Sequence, residues 1–248
     1  MQQTIIVTGG SQGIGAAIAR RAGQARYAVA LTYQSNRALA ETIAAEIAAA
    51  GGKALAVQAE MADEASILAL FRTVDETFGP VTALVNNAGT PGPITPLDGV
   101  TSEIIDSVLA VNVRAPFLLM REAVKRMATD LGGAGGAIVN VSSRAAGLGG
   151  AGEWIHYAAS KGALDSLTIG ASRELAPRGI RVNAVSPGLI ETDLHARAGA
   201  PDRVARLSAS VPMARSGSAD EVAAAVLWLL SAEASYITGV NVPVSGGR

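Results

Sequence analysis

Thr4-Ile5-Ile6-Val7-Thr8-Gly9-Gly10-Ser11-Gln12-Gly13-Ile14-Gly15 is the stretch that decides the fold. Thr4–Thr8 is an apolar, β-branched run of the length of a buried strand, and Ile14–Ala22 reads as helix. The glycines between them let the backbone turn sharply and let another group approach it closely. A helix opening at such a turn offers free N–H groups and the positive end of its dipole, which suits a pyrophosphate. The spacing is Gly-x-x-x-Gly-x-Gly, not the usual Gly-x-Gly-x-x-Gly of dinucleotide sites. Alone, the turn reads equally well as a plain glycine-rich connection.

Further along, the same alternation repeats. Apolar runs at Ala28–Thr32, Ala54–Gln58, Ala83–Asn86, Ala137–Val141, Arg181–Val185 and Val240–Val244 alternate with helical patterns. The longest of those patterns are Arg37–Ala50, Glu64–Phe78, Ser102–Met127 and Tyr157–Ala176. Such alternation predicts right-handed βαβ crossovers and an α/β fold with a parallel sheet covered on both faces. The strands are continuously apolar, as burial on both faces requires. Gly132-Gly133-Ala134-Gly135-Gly136 precedes a strand and reads as a turn, not a linker, so residues 1–248 are expected to form one domain.

Composition narrows the function. A net charge of −1 and the lack of any basic run speak against nucleic acid. With no cysteine there is no disulfide and no thiolate metal site, and nothing else indicates a metal. The most apolar helical stretch, Val222–Leu230, falls short of the roughly 20 residues a bilayer needs. The chain also enters its first strand without a secretory leader, so a soluble, cytoplasmic protein is expected.

Tyr157 and Lys161 lie four residues apart in a chain with only four tyrosines and three lysines. On a helix that spacing puts phenol and ammonium on one face. Ser143 stands fourteen residues before the tyrosine. A phenol titrates near 10, too high for a base at neutral pH, and a neighbouring ammonium lowers it. Each residue alone has an ordinary structural explanation: a satisfied tyrosine, a turn serine, a helix kink at Asn112.

Taken in order, Gly9–Gly15, Asn86-Asn87-Ala88-Gly89, Asn112, Ser143, Tyr157, Lys161 and Pro187-Gly188 resemble the short-chain dehydrogenase/reductase family in its single-domain branch. The resemblance runs over essentially the whole chain. It implies a doubly wound, seven-stranded Rossmann fold and a bound nicotinamide dinucleotide. Gly9, Ser11, Gln12, Gly13, Ile14 and Gly15 would hold the pyrophosphate. Asn86, Ala88 and Gly89 would flank the adenine ribose. Pro187, Gly188, Ile190 and Thr192 would border the nicotinamide. Tyr157 would be the general acid and base, Ser143 would bind the substrate oxygen, Lys161 would hold the nicotinamide ribose and tune the tyrosine, and Asn112 would support a water relay. Ser143 is preferred to the adjacent Ser142 because its spacing to Tyr157 is closer to the family's.

The second strand ends Thr32-Tyr33-Gln34-Ser35-Asn36-Arg37, with no carboxylate to bond a ribose 2′-hydroxyl. Tyr33, Ser35, Asn36 and Arg37 therefore favour NADP(H), with NAD(H) the alternative. The opposite reading makes Ser35-Asn36 a helix cap and Arg37 a solvated side chain. After the third strand Glu60-Met61 stands where the family has an aspartate at the adenine.

The expected substrate is a small carbonyl or alcohol, walled by Thr90–Ile94, Arg144–His156 and Leu189–Met213, with Trp154, His156, Leu189 and His195 prominent. The stretch around Trp154 is similar to sugar (glucose) dehydrogenases and general ketone reductases. A 3-oxoacyl-thioester reductase is a rival, although Arg121, Lys125 and Arg126 read as a solvated face, not an acyl-carrier dock. A non-catalytic cofactor sensor would have no need of Ser143, Tyr157 and Lys161 together. The resemblance also implies a homotetramer, or a dimer, built through the helices starting near Ser102 and Tyr157 and the last strand.

Overall fold

The computed structural model describes every residue except Met1, Leu194, His195 and Arg197. Seven strands form one parallel sheet: β1 (Thr4–Val7), β2 (Ala28–Tyr33), β3 (Lys53–Gln58), β4 (Ala83–Asn86), β5 (Gly136–Val141), β6 (Ile180–Pro187) and β7 (Asn241–Val244). Their order is β3-β2-β1-β4-β5-β6-β7. The chain thus winds outward from β1 to one edge, returns, and winds outward to the other. The reversal falls between β1 and β4, where a doubly wound sheet leaves a crevice at the strands' carboxyl ends.

Side-chain alternation assigns the helices to faces. Ile5, Val7, Val29 and Leu31 point into a core with α1 (Gly13–Gln24) and α2 (Arg37–Ala49). The last long helix, Ala219–Leu230, packs on the same face through Val222, Ala223 and Val226. Ile6, Ala30, Leu84 and Ile138 point the other way, onto α3 (Glu64–Phe78), α5 (Ala115–Met127) and α7 (Ile155–Leu175). Phe71 is fully buried there, with the Arg126 guanidinium 4.7 Å from its ring centroid. The α-helices among the described residues also include α4 (Ser102–Leu109), α6 (Ala145–Leu148) and α8 (Arg203–Leu207), and Ala219–Leu230 is α9.

Local chemistry sets the helix starts. The Asp63 carboxylate accepts the amides of Ala65 and Ser66 to open α3, and Ser218 with Glu221 forms a reciprocal capping box for α9. Two expectations need correction. The pattern Ser102–Met127 is not one regular helix, because a π turn at Ala110–Arg114 separates α4 from α5. Continuous burial holds for the inner strands, whereas the edge strands β3 and β7 are only half covered. Each edge strand lacks a neighbour on one side, so helices cannot close over it fully.

Candidate active site

At the β1–β4 crevice, Thr8 and Asn87 tie the two strands together. The Thr8 hydroxyl donates to Val85 O (3.2 Å) and accepts the amides of Asn87 and Ala88, both at 3.0 Å. The Asn87 side chain donates back to Thr8 O (2.8 Å) and Gly9 O (3.2 Å). Above this clamp lies a cleft of about 800 Å³. It runs from Tyr33, Gln34, Glu60 and Met61 past Gly9, Ser11, Gln12, Gly13, Ile14 and Gly15 to Ser143, Tyr157 and Lys161. Ala88, Gly89, Pro187, Gly188, Ile190 and Thr192 also line it.

The turn fits a dinucleotide pyrophosphate by a steric criterion. A Cβ on Gly15 would sit 2.1 Å from Gly9 O, and Gly9 holds φ at +63°. Only glycine permits that approach, and it leaves the mouth of α1 open to a bulky anion. No side-chain hydrogen bond caps α1 at Gln12, so its first-turn amides are suited to such a ligand.

At the adenine end the expected residues divide. Tyr33, Glu60 and Met61 line the cleft. Ser35, Asn36 and Arg37 lie outside its lining and are exposed. Asn36 accepts Leu39 N (3.2 Å) as the cap of α2, and Arg37 pairs with Glu41 at 2.7 Å. Gln34, which the sequence reading passed over, donates to Glu60 at 2.6 Å. Asn86 is also off the cleft. It is buried in the sheet, donating to Asn140 at 2.8 Å, and its neighbour Asn87 takes the place at the crevice. Two adjacent asparagines at a strand end look alike in sequence, and strand alternation turns one inward and the next toward the opening.

At the other end, α7 carries Tyr157 and Lys161 on one face, with Lys161 Nζ 5.6 Å from the phenol ring centroid. Ser143, just beyond β5, lines the cleft with Tyr157, its hydroxyl accepting Ala145 N at 3.1 Å, whereas Ser142 is buried and its hydroxyl is directed at Lys161 O (3.4 Å). Lys161 Nζ donates to Val141 O at 2.7 Å. Asn112, in the π turn, accepts Thr90 N (2.9 Å) and donates to Thr90 O (2.8 Å) and Ser160 Oγ (2.9 Å). A Cβ on Gly89 would lie within 3.5 Å of both Asn112 Oδ1 and Lys161 Nζ, so these groups converge on one point.

The electrostatics differ from the sequence expectation. Burial pushes the Tyr157 phenol above its ordinary value, opposed by the nearby Ser143 hydroxyl rather than by the lysine. Burial pulls Lys161 from its ordinary 10.5 down to about 8, opposed by the charge of Asp165. Desolvation outweighs the mutual influence of the two, both groups being buried in the protein.

Of the substrate-wall candidates, Trp154 and Leu189 line the cleft. His156 does not. Its ring is buried, with Nε2 2.9 Å from Pro91 O. His195 lies outside the described residues. Arg121, Lys125 and Arg126 are each paired with Glu64, Glu122 or Asp75. Among the described residues no group of acidic or histidine side chains is placed to hold a metal ion, and no helix is long and apolar enough to cross a membrane.

Comparison with known proteins gives the same reading for the whole chain. Residues 9–248 match the family described as Enoyl-(Acyl carrier protein) reductase. The uncharacterized oxidoreductase YgfF of Escherichia coli (strain K12) is 51% identical over 98% of this chain and 98% of its own. A blue fluorescent protein from a metagenomic library, solved with NADPH, superposes with a TM-score of 0.91 at 36% identity, covering 99% of this chain and 97% of its own. The 3-ketoacyl-(acyl-carrier-protein) reductase of Brucella melitensis, solved with NADH, gives 0.90 at 34% identity over 99% of this chain and 98% of its own.

The depressed lysine has a consequence for stability. Between pH 8 and 10.5 the folded chain has released a proton that the unfolded chain still holds, so this group makes stability rise with pH in that window. Below it, a buried charge is a standing cost. Tyr157 acts in the opposite sense, and only above its ordinary 10. Urea unfolding should therefore find Lys161→Met most favoured over the parent below pH 8, with the gap shrinking toward pH 10.5. A gap independent of pH would contradict the lysine shift.

Proposed function

The chain is an oxidoreductase of the short-chain dehydrogenase/reductase family, and on that premise we propose an NADP(H)-preferring enzyme that interconverts a carbonyl and a secondary alcohol, with Tyr157 as general acid and base. The observation that carries the reading is that Ser143, Tyr157 and Lys161 line one cleft, with the buried Lys161 Nζ 5.6 Å from the phenol ring centroid on the same helix face. The nicotinamide, when bound, supplies or takes up the hydride.

The protein's own part is orientation and proton management. In reduction, the substrate oxygen accepts hydrogen bonds from Ser143 and Tyr157. As negative charge grows on that oxygen, the Tyr157 phenol gives up its proton to it. A phenol held neutral by burial is suited to that acid role. In oxidation the phenolate takes the proton back. Lys161 holds the nicotinamide ribose, and its ammonium favours the phenolate left behind. Asn112, fixed by Thr90 and Ser160, anchors the route by which Lys161 exchanges protons with solvent.

For the cofactor, β2 ends without a carboxylate, and the Arg37–Glu41 pair is exposed enough to be given up for a 2′-phosphate. The nearest rival is a 3-oxoacyl-thioester reductase, in line with the name of the Brucella neighbour. Pairing of Arg121, Lys125 and Arg126 leaves that helix face without a free basic patch for a carrier protein. A cofactor sensor would need none of the Ser143–Tyr157–Lys161 set. The chain would act as one cytoplasmic domain assembled into a homotetramer, for which the exposed Ile105, Leu109 and Phe117 on one side and Trp228 and Tyr236 on another supply apolar faces.

Three measurements test this. Tyr157→Phe should lower kcat against a reducible ketone by about 10²- to 10⁴-fold while NADPH still binds; undiminished turnover would refute the mechanism. The parent should show a higher kcat/KM with NADPH than with NADH, and Arg37→Ala should remove about tenfold of that advantage. Light scattering should return the mass of four chains, and a monomer would defeat the assembly.

A further inference from the structure

Three segments meet at the substrate end of the cleft. The wall Gly150–Trp154 is fastened to residues 92–95: Thr95 N donates to Glu153 O at 2.9 Å, and Trp154 Nε1 donates to Gly92 O at 3.2 Å. Gly150 itself, at φ +63°, accepts the amides of Glu153 (3.1 Å) and Trp154 (2.9 Å), which makes this wall a rigid turn. The third segment carries α8 and is tied down at its ends. Glu191 N and Gly217 N bond across to Gly217 O and Leu189 O, both at 2.9 Å, and Met213 N reaches Gly246 O at 3.1 Å.

Between those ends, Arg203 at the start of α8 reaches across to the wall. Its Nη1 donates to Glu153 Oε1 at 2.5 Å, and its guanidinium lies 4.9 Å from the centroid of the Trp154 ring. The arginine side chain is 13% exposed and the glutamate 35%, so the pair is shielded from water as an ordinary surface pair is not. Stacking on the indole adds a cation–π attraction. Glu153, Trp154 and Arg203 all line the same cleft as Ser143 and Tyr157.

Resting on the oxidoreductase reading above, we propose that the Arg203–Glu153 pair, stacked on Trp154, latches the α8 segment over the substrate end of the cleft and restricts the enzyme to compact carbonyl compounds. A compact ketone fits behind the closed pair. A chain-extended substrate running out beneath α8 has to part it, losing the ion pair and the indole contact together. The latch therefore discriminates by size, and it disfavours long acyl thioesters as substrates.

The test is a double-mutant cycle with Glu153→Gln, Arg203→Gln and the double variant, each first shown to bind NADPH. Two quantities are read: kcat/KM for 2-decanone relative to 2-butanone, and hydrogen–deuterium exchange in residues 198–210. Each single variant should raise the ratio roughly tenfold, the scale on which apolar pockets discriminate by size, and should speed exchange. The double variant should be no further from the parent than Arg203→Gln, which already removes both the ion pair and the indole contact, so the two substitutions are non-additive. Additive effects, or exchange and ratio unchanged in the singles, overturn the latch while leaving ketone reduction intact. A parent that turns over neither ketone overturns the size limit together with the reductase reading, even where exchange responds as expected.

Discussion

Everything at the site hangs on the bond set between Thr8 and Asn87. These two residues sit on the neighbouring strands whose crossovers depart in opposite directions, which is where a parallel sheet opens. One hydroxyl and one carboxamide add bonds to backbone groups on both strands there, beside the main-chain bond from Thr8 N to Val85 O. The same carboxamide holds Gly9 O, against which Gly15 packs so closely that no side chain fits. The shape of the phosphate turn is thus set from below, by strand pairing, before any ligand enters.

The reactive end is built at the same carboxyl ends of the strands by different means. β5 delivers Val141 O and Ser143, α7 delivers Tyr157 and Lys161, and the π turn delivers Asn112. None of these groups is held by a charge partner in the first instance. Lys161 is held by a carbonyl and Asn112 by the backbone of Thr90, so their positions depend on main-chain geometry, which is stiff. Burial dominates the titration of both ionisable members, and the tyrosine is left neutral and the lysine only weakly basic.

The fold was legible because each strand is a short apolar run between a glycine-bearing turn and a helical pattern, and these signals are local. The glycine turn, Ser143 and the Tyr157–Lys161 spacing were legible for the same reason. What failed to show was nonlocal. Asn87 looks no different from Asn86 until strand pairing sends one toward Asn140 and the other toward Thr8. Gln34 gains its place only because β3 brings Glu60 beside it. Ser35–Arg37 lie off the lining because Asn36 is spent on capping α2 and Arg37 finds Glu41 one helical turn away. The upward shift of Tyr157 was hidden because it depends on how much protein surrounds the phenol, and not on which residue stands four positions later.

The π turn at Ala110–Arg114 also governs phase. A π turn holds one residue more than the regular helix it interrupts, and each residue of an α-helix rotates the chain by about 100°. The buried stripe of α5, formed by Leu119, Met120, Ala123 and Met127, meets the sheet only because that extra residue has been inserted upstream. Removing it would carry Asn112 away from Thr90 and at the same stroke swing the α5 stripe off the core. The asparagine and the packing of the helix behind it are therefore one inheritance. Substitutions can change the side chain at 112, but a change of chain length within the turn is closed to this fold.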